Sequence, residues 1–217
     1  MSAPQTSPPP PPPDGAQPFS FGGYAGAPEV IEGVSFGPRF LARLFDLVVH
    51  YIVSIFAGLV FGFLLGIIGT AMGKPLSPML TKLQHLGFAT YGLAFLGSVA
   101  YHSVCEGMHG STLGKLALSM VVVREDGSPC RFDNALLRSF GYIVDALFFG
   151  AVGYFAMKDD PQHQRYGDQW AHTIVCKPAS VRPDSLRDGG RFVLALFVAM
   201  TADATLLMAG WTLAILV

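Results

Sequence analysis

The stretch RFLARLFDLVVHYIVSIFAGLVFGFLLGIIGTAM, residues 39–72, decides what kind of protein this is. Its apolar part, Leu47 to Met72, runs for 26 residues with His50 as its only Asp, Glu, Lys, Arg or His. About 20 predominantly apolar residues cross a bilayer as a helix, so the run predicts a membrane span over about 47–72. The charges at its mouth are regularly placed. Arg39 precedes Asp46 by seven residues, and Arg138 precedes Asp145 by the same interval at the mouth of a later apolar run. Seven residues are two helical turns, so each arginine shares a helix face with its aspartate. A charge near the centre of a membrane helix costs on the order of 2.5–3.5 kcal/mol by insertion scales, so such residues persist where they are paired or functional.

Composition points the same way. Hydrophobic residues make up 51% of the chain and charged ones 13%, where a soluble domain carries about a quarter charged residues. The net charge of -1 gives no electrostatic footprint for nucleic acid. Cys105, Cys130 and Cys176 are an odd count at no disulfide-like spacing and read as free thiols.

Upstream of Arg39 there is no Lys or Arg, and residues 1–38 hold ten of the sixteen prolines. Residues 1–35 therefore read as a disordered Pro-rich tail with polyproline II character, a candidate ligand for a Pro-motif-binding partner. A basic start and an apolar core are both lacking, so the stretch does not read as a signal peptide. Within the first span Ser54, Gly58, Gly62 and Gly66 recur every fourth residue, which suits close approach of another helix in the same chain or in a second copy.

Downstream, about 85–105 reads as a second span forming an antiparallel hairpin with the first. The polar stretch that follows contains the Val-rich strand candidate Leu118 to Val123 and the turn signal Asp126-Gly127. A second strand candidate, Thr173 to Cys176, lies beyond the apolar run 135–157, and the two strands could pair as a small sheet at the membrane surface. That run is either re-entrant, bending at Gly150 and Gly153, or a further span. If it returns to its own side, Lys and Arg divide twelve to two across the membrane, with Lys74 and Lys82 alone outside, which the positive-inside rule prefers. Residues 179–191 read as a linker, and 192–217 as an extra C-terminal transmembrane helix with Asp203 at its middle.

Three blocks carry a family likeness. Arg39-Phe40-Leu41-Ala42-Arg43-Leu44-Phe45-Asp46 enters the first apolar helix; Gly110-Ser111-Thr112-Leu113-Gly114-Lys115 leads to the Val121–Val123 strand and Asp126-Gly127; Gln164-Arg165-Tyr166-Gly167-Asp168 leads to Thr173-Ile174-Val175. In this order, over about 36–178, they resemble the RDD family of bacterial membrane proteins. The resemblance implies that Arg39, Asp46 and Asp168 are the name-giving arginine and two aspartates. It also implies a multipass protein of the bacterial inner (cytoplasmic) membrane, and it names a fold better than an activity. The Pro-rich tail and the last span lie outside it.

The candidate sites follow from these charges. Arg39 and Asp46 lie about 10.5 Å apart along a helix at ~1.5 Å per residue, too far for a tight bridge. A crossed arrangement between helices, Arg39 with Asp145 and Arg138 with Asp46, is the expected pairing. Structurally such bridges fix helix register; functionally, a carboxylate freed and protonated in turn could carry a proton or small cation, with Asp46 and His50 as the relay. Asp203 has no basic neighbour in its own helix, so it either meets His50 or His102 or serves as a proton station. His102, Cys105, Glu106 and His109 fall at ligand-like spacing, but Gly107 and Gly110 should break the helix, and polar interface roles are preferred to a metal site. Gly110 to Lys115 fails the phosphate-loop pattern at His109 and Leu116. No cofactor and no enzymatic activity are expected.

The expected fold is an all-α transmembrane bundle of three to four membrane helices plus a small cytoplasmic β-hairpin, with the N-terminus cytoplasmic. The leading functional reading is transport of a proton or small cation through buried Arg/Asp pairs. The competing one is a non-transporting scaffold that recruits a partner through its tail and hairpin.

Overall fold

A computed structural model describes residues 31–73, 81 and 87–216. The Pro-rich stretch 1–30 and the loop carrying Lys74 and Lys82 lie outside the described residues. Helix α1, Phe36–Ala71, contains the first apolar run together with both charges at its mouth. Its 36 residues would extend roughly 54 Å at ~1.5 Å per residue, well beyond a hydrocarbon core of about 30 Å, so the Arg39–Asp46 end projects from the apolar part.

Helix α2, Phe88–Met108, and helix α7, Gly189–Leu216, complete the bundle. His50 of α1 meets Asp203 of α7, and Phe61 stacks near Trp211 further along, so α1 and α7 run parallel. Thr90 near the start of α2 donates to the Gly210 carbonyl near the end of α7, so α2 runs antiparallel to both. Among the described residues two helices, α1 and α7, are long and apolar enough to cross a membrane. The second predicted span, α2, does not join them on that criterion. It buries Thr90, His102, Ser103 and Glu106 against its neighbours, so its polar side chains face protein while the apolar faces of α1 and α7 remain outward.

The third apolar run is not a straight helix. Helices α4, Phe132–Asp145, and α5, Leu147–Lys158, make a bend of 107° over the break between them. Phe148 at φ 51° and Gly150 at φ 89° turn the backbone there, which moves the break upstream of the Gly150–Gly153 interval expected from sequence. Strand β1, Val121–Arg124, pairs antiparallel with β2, Thr173–Cys176, in the register Val121 opposite Cys176 and Arg124 opposite Thr173. Because these strands flank the bent pair, the two ends of the intervening segment are held at the same sheet. The bend is that of a broken span or of a re-entrant segment.

The sheet draws in part of the stretch assigned to the tail. Gly33 bridges Cys176, and the Val34 amide donates to the Val175 carbonyl at 2.7 Å. The small core beneath contains Val34, Ala42, Met120, Val122, Cys130, Ala135 and Val175, which joins the root of α1 to the hairpin. Between strands and helices lie two short helices, α3, Leu113–Ala117, and α6, Tyr166–Trp170. All three cysteines are free and buried.

Within the described residues the four-residue stripe on α1 meets another helix at Gly58. A Cβ added to Gly58 would meet Trp211 at 3.6 Å, but at Gly62 and Gly66 it would meet no described atom within 4 Å, and the Ser54 hydroxyl donates back to His50 of its own helix. The close glycine contact lies elsewhere: a Cβ on Gly141 of α4 would run into the backbone of Gly167 in α6. Overpacking of this kind costs about 1–3 kcal/mol. Gly141→Ala should therefore lower the melting temperature of the detergent-solubilised protein, while Gly62→Ala should not. Equal melting of Gly141→Ala and wild type would show that the α4–α6 contact is looser than described.

Candidate functional site

Asp168 sits at the third position of α6, where its carboxylate accepts the Arg165 backbone amide at 3.2 Å and so caps that short helix. The side chain is fully buried, and burial alone would push its proton affinity up. Three guanidinium groups, Arg165, Arg138 and Arg39, oppose this and hold the carboxyl well below the usual carboxylate range. Arg39 Nη1 lies 2.5 Å from Oδ2, Arg138 Nη2 2.9 Å from Oδ1, and Arg165 Nη2 3.3 Å from Oδ1. One carboxylate therefore gathers arginines from α1, α4 and the turn before α6.

Arg39 also donates through Nε to the Val34 carbonyl at 2.8 Å and through Nη2 to Val175 at 3.4 Å. The root of α1 is thereby tied to the sheet and to Asp168 by one side chain. Arg138 reaches Glu106 as well, with Nε 3.3 Å from Oε2, and Glu106 forms a close ion pair with Lys115. Burial lowers the Lys115 pKa, opposed by Glu106 and deepened by Arg138, to about 8.

Asp46 binds a different set of groups. Tyr101 Oη donates to Oδ1 at 3.1 Å, Thr112 Oγ1 to Oδ2 at 2.7 Å, and the Gly114 amide to Oδ1 at 2.9 Å. His102 Nε2 stands 3.5 Å from Oδ2. The Gly110–Lys115 loop is thus a carboxylate grip. Thr112 caps α3, Gly114 must lack a side chain because a Cβ would strike the Ala42 carbonyl, and Lys115 answers Glu106. Asp145 accepts the Gly167 amide at 3.3 Å and lies 3.9 Å from Arg165, with its Oδ1 lacking a hydrogen-bond partner among the described residues.

The crossed pairs expected from sequence do not form. Arg39 meets Asp168 instead of Asp145, and Arg138 meets Asp168 and Glu106 instead of Asp46. The reason is that α6 inserts Asp168 and Arg165 between the two helices, and no helical period reports on that insertion. Asp46 and His50 each have a partner on another helix, Asp46 facing His102 and His50 facing Asp203. His50 Nδ1 lies 2.7 Å from Asp203 Oδ2, one of the alternatives open to Asp203. Glu106, Tyr101, Thr112 and Arg165 were not singled out as carboxylate partners by sequence reasoning; only Arg165, three residues before Asp168, had a local signal.

The four residues at metal-like spacing diverge. His102 faces Asp46, Glu106 faces Lys115 and Arg138, Cys105 packs with Tyr101 and Ala199, and His109 meets Phe192 edge-on. Among the described residues no group of three or more His, Cys, Asp or Glu could hold a metal ion.

A carboxyl held below its ordinary value makes the unfolded chain the better proton binder in acid. Asp168 thus contributes stability that is complete above the unfolded value of about 3.9 and is lost as pH falls below it. Asp168→Asn strands three buried guanidinium groups, and breaking such a network by one partner costs about 3–5 kcal/mol. Unfolding measured against pH should show the variant less stable at neutral pH and with a shallower decline below about pH 4 than wild type. Parallel acid profiles would mean that Asp168 is not the charge that titrates.

The family model described as RDD family matches residues 34–172. No curated protein and no solved structure matches the chain. The matched region contains Arg39, Asp46 and Asp168 with the Gly110–Lys115 loop and strand β1; it ends just before β2 and excludes Asp203. The chain belongs to the RDD family, whose members are membrane proteins.

Proposed function

We propose that the chain moves protons across its membrane, alone or in exchange for a small cation, and that a histidine–aspartate contact carries the proton. The arginine–carboxylate network at the sheet supports a holding role, because each of its carboxylates already meets a cation or several donors. The proton-exchanging group is sought deeper in the bundle.

The observation that carries this reading is the contact between His50 and Asp203. Both residues lie fourteen positions inside their helices, counted from Phe36 and Gly189, within the two helices long and apolar enough to cross a membrane. Asp203 is 1% exposed, its Oδ2 faces His50 Nδ1 at 2.7 Å, and its Oδ1 has no hydrogen-bond partner among the described residues. A methyl group at Gly97 of α2 would overlap that free oxygen, so glycine there leaves the space it occupies. An ionisable residue within a membrane helix is a functional candidate by its cost alone.

A second pair lies one helical turn toward the sheet. His102 Nδ1 is 2.8 Å from the Ser98 carbonyl, which can only accept, so Nδ1 carries the hydrogen. Nε2 then faces Asp46 Oδ2, and this contact is favourable only with a proton between them, on either group. Asp46 and His50 are four residues apart on α1 and share a face. Asp46 also accepts from Tyr101, Thr112 and the Gly114 amide and so belongs to the holding network, which leaves His50 and Asp203 as the exchanging pair.

The bacterial inner membrane, with hairpin and N-terminus cytoplasmic, is the setting that fits the distribution of basic residues, twelve to two if the bent segment returns to its own side. In vesicles reconstituted with purified protein and an internal pH dye, wild type should dissipate an imposed proton gradient, in the presence or absence of sodium or potassium. Asp203→Asn should reduce that flux at least tenfold while keeping the melting temperature, and Asp203→Glu should retain part of it. Wild-type flux no greater than that of empty vesicles, or undiminished flux in Asp203→Asn, would contradict the reading.

A further inference from the structure

Beyond proton movement, the network at the sheet encloses a cavity of about 40 Å³, larger than the ~10–15 Å³ that one water needs. Five cations line it, Arg39, Arg43, Lys115, Arg138 and Arg165, against the two carboxylates Asp46 and Glu106. Most of these charges are answered. Arg39 and Arg165 are bound to Asp168, and Lys115 to Glu106.

Two guanidinium groups are not fully answered. Arg138 is 2% exposed and engages Glu106 and Asp168 through Nε and Nη2, leaving Nη1 without a hydrogen-bond partner among the described residues. Arg43 has no hydrogen bond or ion pair among the described residues; its guanidinium lies 4.0 Å above the Tyr142 ring. A buried N–H of a charged group left without an acceptor is costly, and a planar guanidinium pair is suited to an oxyanion through paired N–H contacts. Arg43 also stands one turn before Leu47, where the apolar run begins. Basic pockets between membrane helices are known receptors for anionic headgroups.

We propose that this cavity binds a phosphate group, received by the free N–H groups of Arg43 and Arg138. The group belongs either to an anionic lipid or to free phosphate, and both present the same tetrahedral oxyanion. Arg39, Arg165 and Lys115 contribute positive field but keep their own carboxylates. The Tyr142 ring holds the Arg43 guanidinium in place and limits its freedom before the anion arrives.

The full chain, freed of lipid in a neutral detergent, is the material for the test. Binding of radiolabelled inorganic phosphate at equilibrium is one arm; retention of phosphatidylglycerol over a phosphate-free glycolipid in native mass spectrometry is the other. At least one arm should show saturable binding, weakened tenfold or more by Arg43→Gln and less by Arg43→Lys. Arg191→Gln, which changes an exposed arginine outside the cavity, should leave binding unaltered. Phosphate binding alone assigns the free anion, and lipid retention alone assigns the headgroup. The proposal is overturned if neither arm binds, if Arg43→Gln binds like wild type, or if Arg191→Gln weakens binding equally; the cavity then holds water alone. Arg43 is paired with no carboxylate, so its replacement should leave the melting temperature near that of wild type and keep the test independent of folding.

Discussion

A single carboxylate, ionised while fully buried, organises the end of the molecule where helices meet sheet. Burying an ion without partners is costly enough that the group would take up a proton instead. Asp168 remains ionised only because arginines from three separate chain segments converge on it. The converse also holds. Arg39 and Arg138 can leave water because Asp168 is there, and with them come the root of α1 and the amphipathic helix α4. Sheet, bent helix pair and bundle are therefore held by charge as well as by the apolar core beneath the strands.

The second aspartate extends the same logic to a loop. Asp46 accepts from Thr112 and the Gly114 amide, so one carboxylate on α1 fixes the turn that precedes β1. Lys115, three residues after Thr112, then answers Glu106, which also answers Arg138. The charged residues form one connected network in which Asp168 and Glu106 share Arg138. A network of this sort is rigid when complete and fails as a unit when one member is lost. This is why the proposed transport is sought at His50 and Asp203, which lie outside it.

Much of the fold was legible in the chain because its signals are local. The long apolar runs of α1 and α7, the Val-rich β1 with its Asp126-Gly127 turn, and the matching strand at Thr173–Cys176 are each readable from neighbouring residues. The charge partners were not. Arg39 and Asp168 are separated by 129 positions, and the helical period that suggested crossed pairs with Asp145 and Asp46 holds only while a helix continues. It stops at Asp145, where the chain turns back and brings α6 between the two arginines. Periodicity likewise gives the glycine-lined face of α1, while within the described residues the contact with α7 falls near Gly58. For Asp203 the sequence left the partner open between His50 and His102. Choosing between them needed the relative height of α1, α2 and α7, which no local pattern contains.

The central claim is that Asp168 is present to neutralise the arginines and not for its shape. The most direct measurement compares the chemical-unfolding free energy of Asp168→Leu with that of the triple variant Arg39→Leu, Arg138→Leu and Asp168→Leu in the same detergent. Removing the stranded guanidinium groups together with their carboxylate should recover stability, so the account predicts the triple variant to be the more stable of the two. A triple variant as unstable as the single one, or less stable, would contradict it.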